Sequence, residues 1–350
     1  MSSIISDNNN SNISITSLPS EIMRMVLQQV DWKTIHSIRL VSKFFNDFVS
    51  SNIDNLPKPM MTGLSISSTY NPDGKIYIEF LYLHENEYIR VKDVYIPCEN
   101  NETRLPEMEN LLKKMDLRNV MHFEIVVTGE TIVFDVLDRY FKIGMTVESL
   151  QLNIQKCPSF EGFSRFIRKI RYVTYLWLNK LCFLSQPIPV DFTLPMIDNL
   201  TNLCLVECEC TKFVNSKMIT NLYLNNKNLK RLLVFSNCKN VEYELIGSIK
   251  EKQEFCSDKK DCHFNCYLYL PLRSNSIHDA EIINNFPPNA YEISFPPEID
   301  NTIIGVKRCS KCTSVYGIAL SYRKSTYLND TKCDSVFDRT LFIDDNFYIV

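Results

Sequence analysis

The sequence predicts an α/β protein in which a short N-terminal helical module is followed by a strand–helix solenoid. Three observations carry this reading. Residues 17–54 place apolar side chains at three- and four-residue spacing, the period of a helix face. Residues 60 to about 320 repeat a local apolar template roughly every 27 residues. Only 8 of the 350 residues are Gly, so the glycine-rich βα turns of nucleotide-binding α/β folds are missing.

The first sixteen residues are Ser/Asn-rich and carry too little apolar surface to order themselves, so residues 1–16 read as a disordered tail. Ser17-Leu18-Pro19-Ser20-Glu21 then opens a helix. Pro is suited to the first turn, where its missing N–H would have no partner anyway. Ile22, Val26, Leu27 and Val30 form the apolar face of this helix. Asp31 is placed to cap the next helix, its carboxylate accepting from backbone N–H groups. Ile35, Ile38, Val41, Phe45 and Phe48 continue the helical spacing, and Leu40 and Phe44 broaden the stripe. A module of fewer than about 40 residues has little core of its own, so so wide a face calls for a partner.

Leu18-Pro19-x-Glu21-Ile22, then Val26-Leu27, then Ile38-Arg39-Leu40-Val41-Ser42-Lys43-Phe44-Phe45 resembles an F-box. Trp32 and Thr34 depart from the Asp-Leu that opens the second helix in many members. The resemblance implies a three-helix F-box over residues 17–54, and a Skp-family adaptor as partner, linking the chain to a cullin ubiquitin ligase. It further implies that Leu18, Pro19, Ile22, Val26, Leu27, Val41 and Phe44 touch that adaptor.

Beyond the module, five segments carry apolar residues at positions 0, 3 and 5. They are Val120/Phe123/Ile125, Val147/Leu150/Leu152, Val173/Leu176/Leu178, Leu200/Leu203/Leu205 and Leu229/Leu232/Val234. Weaker copies stand at Met61/Leu64/Ile66, Val91/Val94/Ile96, Ala290/Ile293/Phe295 and Val315/Ile318/Leu320. The template resembles that of leucine-rich repeats. Their Asn/Cys position is met in two copies, by Cys208 and Asn237, whereas Thr128, Gln155 and Leu181 stand there in others. Helical stretches are expected between the strands, at Leu111–Leu117, Val136–Ile143, Phe160–Ile170, Met218–Leu224 and Leu245–Phe255. Ile76–Leu83 alternates like a strand, so a hairpin is expected in place of the first helix. Residues 60–350 thus read as one leucine-rich-repeat-like, substrate-binding domain. Ordinary α/β units also alternate strand and helix; the recurring template and the missing glycine turns favour the solenoid.

In such a solenoid the template residues fill the core and the residues between them face the open side of the sheet. Among these, Tyr175, Trp177, Arg231 and Phe235 are of the types enriched at interface hot spots, which makes them the expected target-binding residues. The alternative is that Trp177 and Phe235 pack beneath a terminal loop.

Composition excludes several classes. A net charge of −3 with scattered Lys and Arg argues against nucleic acid as partner. No apolar run is long enough to span a membrane, and no secretory leader opens the sequence. Thirteen Cys in a chain this long read as free thiols of a reducing compartment, cytoplasmic or nuclear. Cys256, Cys262, His263 and Cys266 cluster in sequence, and Cys309 and Cys312 form a C-x-x-C, but a second C-x-x-C pair is missing. No metal and no cofactor is therefore expected. Five dispersed His form no catalytic constellation, so no enzyme is expected. The expected function is a substrate-recruiting adaptor of a ubiquitin ligase, acting on an unknown protein target. The alternative is a repeat scaffold whose N-terminal helices only cap the array. The layout resembles the large F-box families of nematodes.

Overall fold

The computed structural model describes residues 15–68, 75–84, 87–97, 109–254, 266–271, 291–294 and 302–323, apart from positions 111, 130, 185, 196–198, 237, 239–240 and 314. Most of the expected tail, and Cys256, Cys262 and His263, lie outside the described residues. The chain divides into two compact units, Met1–Met60 with Glu109–Asp116, and Met61–Met108 with Leu117–Val350.

The first unit includes the helices α1 (Ser20–Leu27), α2 (Trp32–Arg39) and α3 (Lys43–Ser51). Pro19 precedes α1 with φ −54° and ψ 146°, and its carbonyl accepts the first helical bond, from Met23 N–H. Asp31 caps α2, accepting from Thr34 N–H at 2.9 Å and from the Thr34 hydroxyl at 2.9 Å. Ser42 caps α3 by accepting from Phe45 N–H at 3.3 Å. Each cap satisfies a first-turn donor that no helical carbonyl can reach. Met23, Leu27, Ile35, Phe45, Val49 and Leu56 form the core, with Val30, Ile38 and Phe48 packed against it. Glu109–Asp116, expected between two repeats, belongs to this unit instead: Asp116 N–H donates to the Pro59 carbonyl at 2.9 Å.

The second unit is a mixed α/β structure around a 12-stranded sheet, in the order β10-β11-β12-β9-β8-β7-β6-β5-β4-β1-β2-β3. The strands are β1 (Gly63–Ser68), β2 (Lys75–His84), β3 (Glu87–Pro97), β4 (Asn119–Thr128), β5 (Met145–Gln155) and β6 (Ile170–Leu181), then β7 (Asn202–Glu207), β8 (Arg231–Phe235), β9 (Cys266–Pro271), β10 (Glu292–Ser294), β11 (Thr302–Arg308) and β12 (Val315–Arg323). Helices α4 (Val133–Tyr140), α5 (Phe160–Ile167), α6 (Ser216–Asn225) and α7 (Val241–Glu254) follow β4, β5, β7 and β8, whereas the described residues between β6 and β7 form no helix. The run from β4 through β9 is parallel, as is its continuation to β12 on one side and β1 on the other. Antiparallel pairs finish both ends: β1–β2–β3 at one, β12–β11–β10 at the other.

The template residues stack in register. Leu64, Phe123, Leu150, Leu176, Leu203, Leu232 and Leu268 follow one another across the sheet, and Ile66, Ile125, Leu152, Leu178, Leu205 and Val234 form the row two residues on. All are buried. Helices cover this face. Phe123 stacks on Phe141 with ring centroids 5.1 Å apart and meets Phe166 edge-on at 5.9 Å. From there the rings continue through Phe134, Phe163 and Phe183 to Phe213 and Phe192. Each such aromatic pair adds about 0.5–1.5 kcal/mol beyond the area it buries. On the surface, Arg165 of α5 pairs with Asp135 of α4 at 2.6 Å and with Glu161 at 2.8 Å.

Two buried polar groups fasten the loops. Glu207, at the end of β7, accepts from Phe213 N–H at 2.9 Å, Val214 N–H at 2.8 Å and the Ser236 hydroxyl at 2.6 Å. Asn226, closing α6, accepts from Leu200 N–H at 3.1 Å and donates to the Leu222 carbonyl at 2.8 Å. Neither β9 nor β11 was expected. In the sequence before β9, Asn265 stands where the template requires an apolar residue. In β11 both neighbours are antiparallel, so the strand lies outside the repeat's rhythm.

Phe166 is fully buried between Phe123, Phe134 and Phe141. Phe166→Ala should cost about 3–5 kcal/mol of stability in urea unfolding. The exposed Ile143→Ala should stay within about 0.5 kcal/mol of the parent. Equal midpoints for the two variants would contradict the packing described.

Candidate docking site

Eight of the fifteen exposed large hydrophobics among the described residues fall within residues 15–60, so the helical unit carries a disproportionate share of uncovered apolar surface. The cause lies in α1. Met23 and Leu27, four residues apart, face the unit's core, while Ile22 and Val26, also four apart, stand exposed beside Met25. A helix turns 100° per residue, so the two pairs form neighbouring stripes, and a unit this small buries only one of them.

A second exposed group sits where α2 meets α3. Leu40 and Val41 are 79% and 72% exposed at the turn, immediately before the Ser42 cap. Phe44, exposed, lies in the first turn of α3. Its ring stacks on Phe48 at 6.4 Å and meets Phe45 edge-on at 5.5 Å, so the core holds it in place while one side stays free. A ring fixed before docking loses little entropy on docking.

Of the residues expected to meet a partner, Pro19, Ile22, Val26, Val41 and Phe44 are exposed, and Leu18 is half-buried. Leu27 does not belong to this surface. At 2% exposure it packs in the core, because it lies one helical step round from Val26, on the inward stripe. Met25 and Leu40 are exposed beside the named residues and were not among those expected to touch a partner. Adjacent apolar residues on a short helix read as one stripe, which hid the division between faces.

The open face of the sheet is graded. Over β4–β6 it presents His122, Glu124, Gln151, Asn153 and Tyr175, all exposed or half-buried. Over β7–β8 it presents Cys204, Val206, Leu233 and Phe235, all buried in one cluster with Trp177 packed against it. Tyr175, Asn202 and Arg231 follow one another in register, and the Arg231 guanidinium lies 6.0 Å from the Tyr267 ring centre. Of the four expected target-binding residues, Tyr175 is exposed, and Trp177 and Arg231 are half-buried. Phe235 is 3% exposed and cannot meet a target: it is part of the apolar cluster, because this face is no longer polar at β8. Burial pushes the Cys204 thiol up, so this thiol stays protonated and unreactive.

Cys309 is buried and Cys312 half-buried. Among the described residues, the thiols that converge are Cys182, Cys208 and Cys210. No helix among the described residues is long and apolar enough to cross a membrane.

Residues 15–56 match the family model of the F-box domain. No curated protein and no solved structure matches the chain. The match supports an F-box protein, and an F-box implies a part in substrate recognition by a cullin-based ubiquitin ligase. It covers the three helices and their caps, including the exposed groups on α1 and at the α2–α3 turn.

Two predictions follow from this geometry. The Asp31 carboxyl is held below its ordinary value of 3.8, first by the Thr34 N–H and then by the Thr34 hydroxyl. Its stabilising contribution is therefore complete above that value and is lost as pH falls through the lower, folded one. Asn caps a helix about as well but does not titrate. Asp31→Asn should thus flatten the acid limb of the helical unit's stability profile, followed by circular dichroism, while changing little at neutral pH. On the sheet, Phe235→Ala should cost about 3–5 kcal/mol, as for a core ring. Tyr175→Ala should cost far less, and thermal melts of the two variants would separate these roles.

Proposed function

We propose that this protein recruits a protein target to a cullin-type ubiquitin ligase. In this reading Ile22, Met25, Val26, Leu40, Val41 and Phe44 seat a Skp-family adaptor, with Leu18 and Pro19 framing the start of α1. The observation that carries it is a domain matching the F-box whose second apolar stripe is left uncovered by its own core. Burying one large side chain is worth about 1.5–3 kcal/mol, so several together suffice for stable docking.

The sheet unit, in the same reading, is a leucine-rich-repeat-like solenoid. Its support is the in-register stacking of the 0, 3, 5 template through β4 to β8. Tyr175, Trp177 and Arg231 on the open face hold the target, and Phe235 supports them from within the apolar cluster. The protein performs no chemistry. It raises the local concentration of the target near a ubiquitin-charged enzyme and orients it there, which itself removes much of the entropic barrier. Its place of action is then the cytoplasm or nucleus.

The test is co-purification with a Skp-family adaptor, comparing the intact chain with an Ile22→Ala, Val26→Ala, Phe44→Ala triple variant. Each exposed side chain contributes on the order of 1.5 kcal/mol or more at the interface, and 1.4 kcal/mol is tenfold in affinity. The triple variant should therefore bind about a thousandfold more weakly or worse, with its helical content intact. A folded parent chain that does not bind the adaptor would sink this function and leave the non-catalytic repeat scaffold.

A further inference from the structure

Among the described residues, Cys157, Cys182, Cys204, Cys208 and Cys309 are buried as small apolar residues are. Cys210, which is exposed, is not placed by burial. Cys210 sits exposed on the polar turn that follows β7, yet its Sγ points back to two buried thiols. It lies 3.3 Å from Cys208 Sγ and 3.5 Å from Cys182 Sγ, and all three sulfurs fall within 4.8 Å of one another.

The backbone holds this arrangement from several sides. Cys182, just past β6, donates its N–H to the Ile154 carbonyl at 2.9 Å, and its own carbonyl accepts from Cys157 N–H at 2.9 Å. Cys208, just past β7, donates to the Leu181 carbonyl at 3.0 Å. The turn is closed by Thr211 N–H donating to the Cys208 carbonyl at 3.0 Å, and the Thr211 hydroxyl accepts from Phe183 N–H at 3.0 Å. The parallel ladder therefore delivers two thiols from neighbouring strands, and the turn folds a third over them. The backbones of Cys182 and Cys208 cannot move far without breaking these bonds, and the closed turn fixes where Cys210 begins.

We propose that Cys182, Cys208 and Cys210 form a site for a single thiophilic divalent cation of the zinc type. The three thiols lose their protons to solvent as the ion sheds water, and the coordination position on the exposed Cys210 side stays open to solvent. Three protein ligands with one open position is an arrangement zinc accepts. With Zn–S bonds of about 2.3 Å and tetrahedral angles, sulfurs stand about 3.8 Å apart. The observed 3.3 and 3.5 Å separations need to widen by only a few tenths of an ångström. The exposed Cys210 supplies the entry path a buried trio would lack. This site is independent of the adaptor-docking reading and stands or falls without it.

The experiment is a zinc titration of the full-length reduced protein and its Cys210→Ser variant, followed by elemental analysis, with cobalt as a spectroscopic substitute. The parent should retain one more equivalent of zinc than Cys210→Ser. Its cobalt form should show sulfur-to-metal charge-transfer absorption that weakens by that one equivalent in the variant. Equal stoichiometry in the two folded proteins would overturn the proposal. A second measurement needs no variant: iodoacetamide labelling of Cys210, mapped by mass spectrometry, should slow markedly when zinc is added. An unchanged labelling rate would equally overturn the site.

Discussion

The sheet unit depends on the register of its parallel ladder. Side chains alternate along a strand, so a slip of one residue between β4 and β5 would turn every residue of the shifted strand to the other face. Leu150 and Leu152 would leave the phenylalanine layer, and Gln151 and Asn153 would enter it. No helix packed by Phe123, Phe141 and Phe166 could tolerate those amides, so burial on one face fixes pairing along the whole sheet. Each crossover must then return the chain by one strand at the same height. That requirement sets the spacing of 26 to 29 residues between template centres. Antiparallel pairs finish the sheet at both ends.

The helical unit answers a different constraint. Three helices of eight or nine residues enclose a core of six buried side chains with three more packed against it. A core that small cannot cover every apolar residue such short helices carry. The surplus is not scattered. Six of the eight exposed residues fall on α1 or around the α2–α3 turn, Ile15 and Met60 being the exceptions, while Asp31 and Ser42 fix the helix ends independently of any partner. A scaffold whose ends are capped from within can leave a stripe uncovered and still keep its shape. The resulting surface combines rigidity, through Phe44 on Phe48, with the high exposure of Leu40 and Val41.

These two constraints also decide what could be read in advance. The rows at positions 3 and 5 were legible because the same burial recurs from β4 to β8 and leaves Leu, Ile, Val or Phe each time. The Asp31 cap was legible because it answers a local demand of the backbone; Ser42 answers the same demand at α3 but was not singled out. What was hidden depended on tertiary context. Leu27 and Val26 are neighbours in sequence and alike in chemistry, and only the packed unit says which faces in. Phe235 alternates like an open-face residue, and it is open-face, but the face itself turns apolar over β7 and β8. The Asn/Cys position appeared in only two repeats because the strand ends are irregular. Cys157 and Cys182 take buried places past β5 and β6 at offsets a fixed template cannot register, after a shift in pairing between Leu178 and Leu181. The convergence of Cys182 with Cys208 and Cys210 follows from that same irregularity, so spacing alone could not have disclosed it.

The grading of the open face narrows what a target can be in the recruiting reading. Over β7 and β8 Cys204, Val206, Leu233 and Phe235 are already buried, so a target gains nothing by removing these side chains from water, and the half-buried Arg231 is what β8 still offers. Over β4 to β6 the available groups are an imidazole, a carboxyl, side-chain amides and the Tyr175 ring. Such a surface has little apolar area to bury. It discriminates instead by hydrogen bonds, which are costly to leave unmade once the groups are desolvated. Ser65 already donates to Glu124 at 3.2 Å, and the Gln155 amide to Asn153 at 3.2 Å, so parts of the row are oriented before any target arrives. A target must match that fixed pattern, with Tyr175 and the half-buried Trp177 supplying the apolar contact at its margin. In the recruiting reading, recognition of this kind favours selectivity over tight holding.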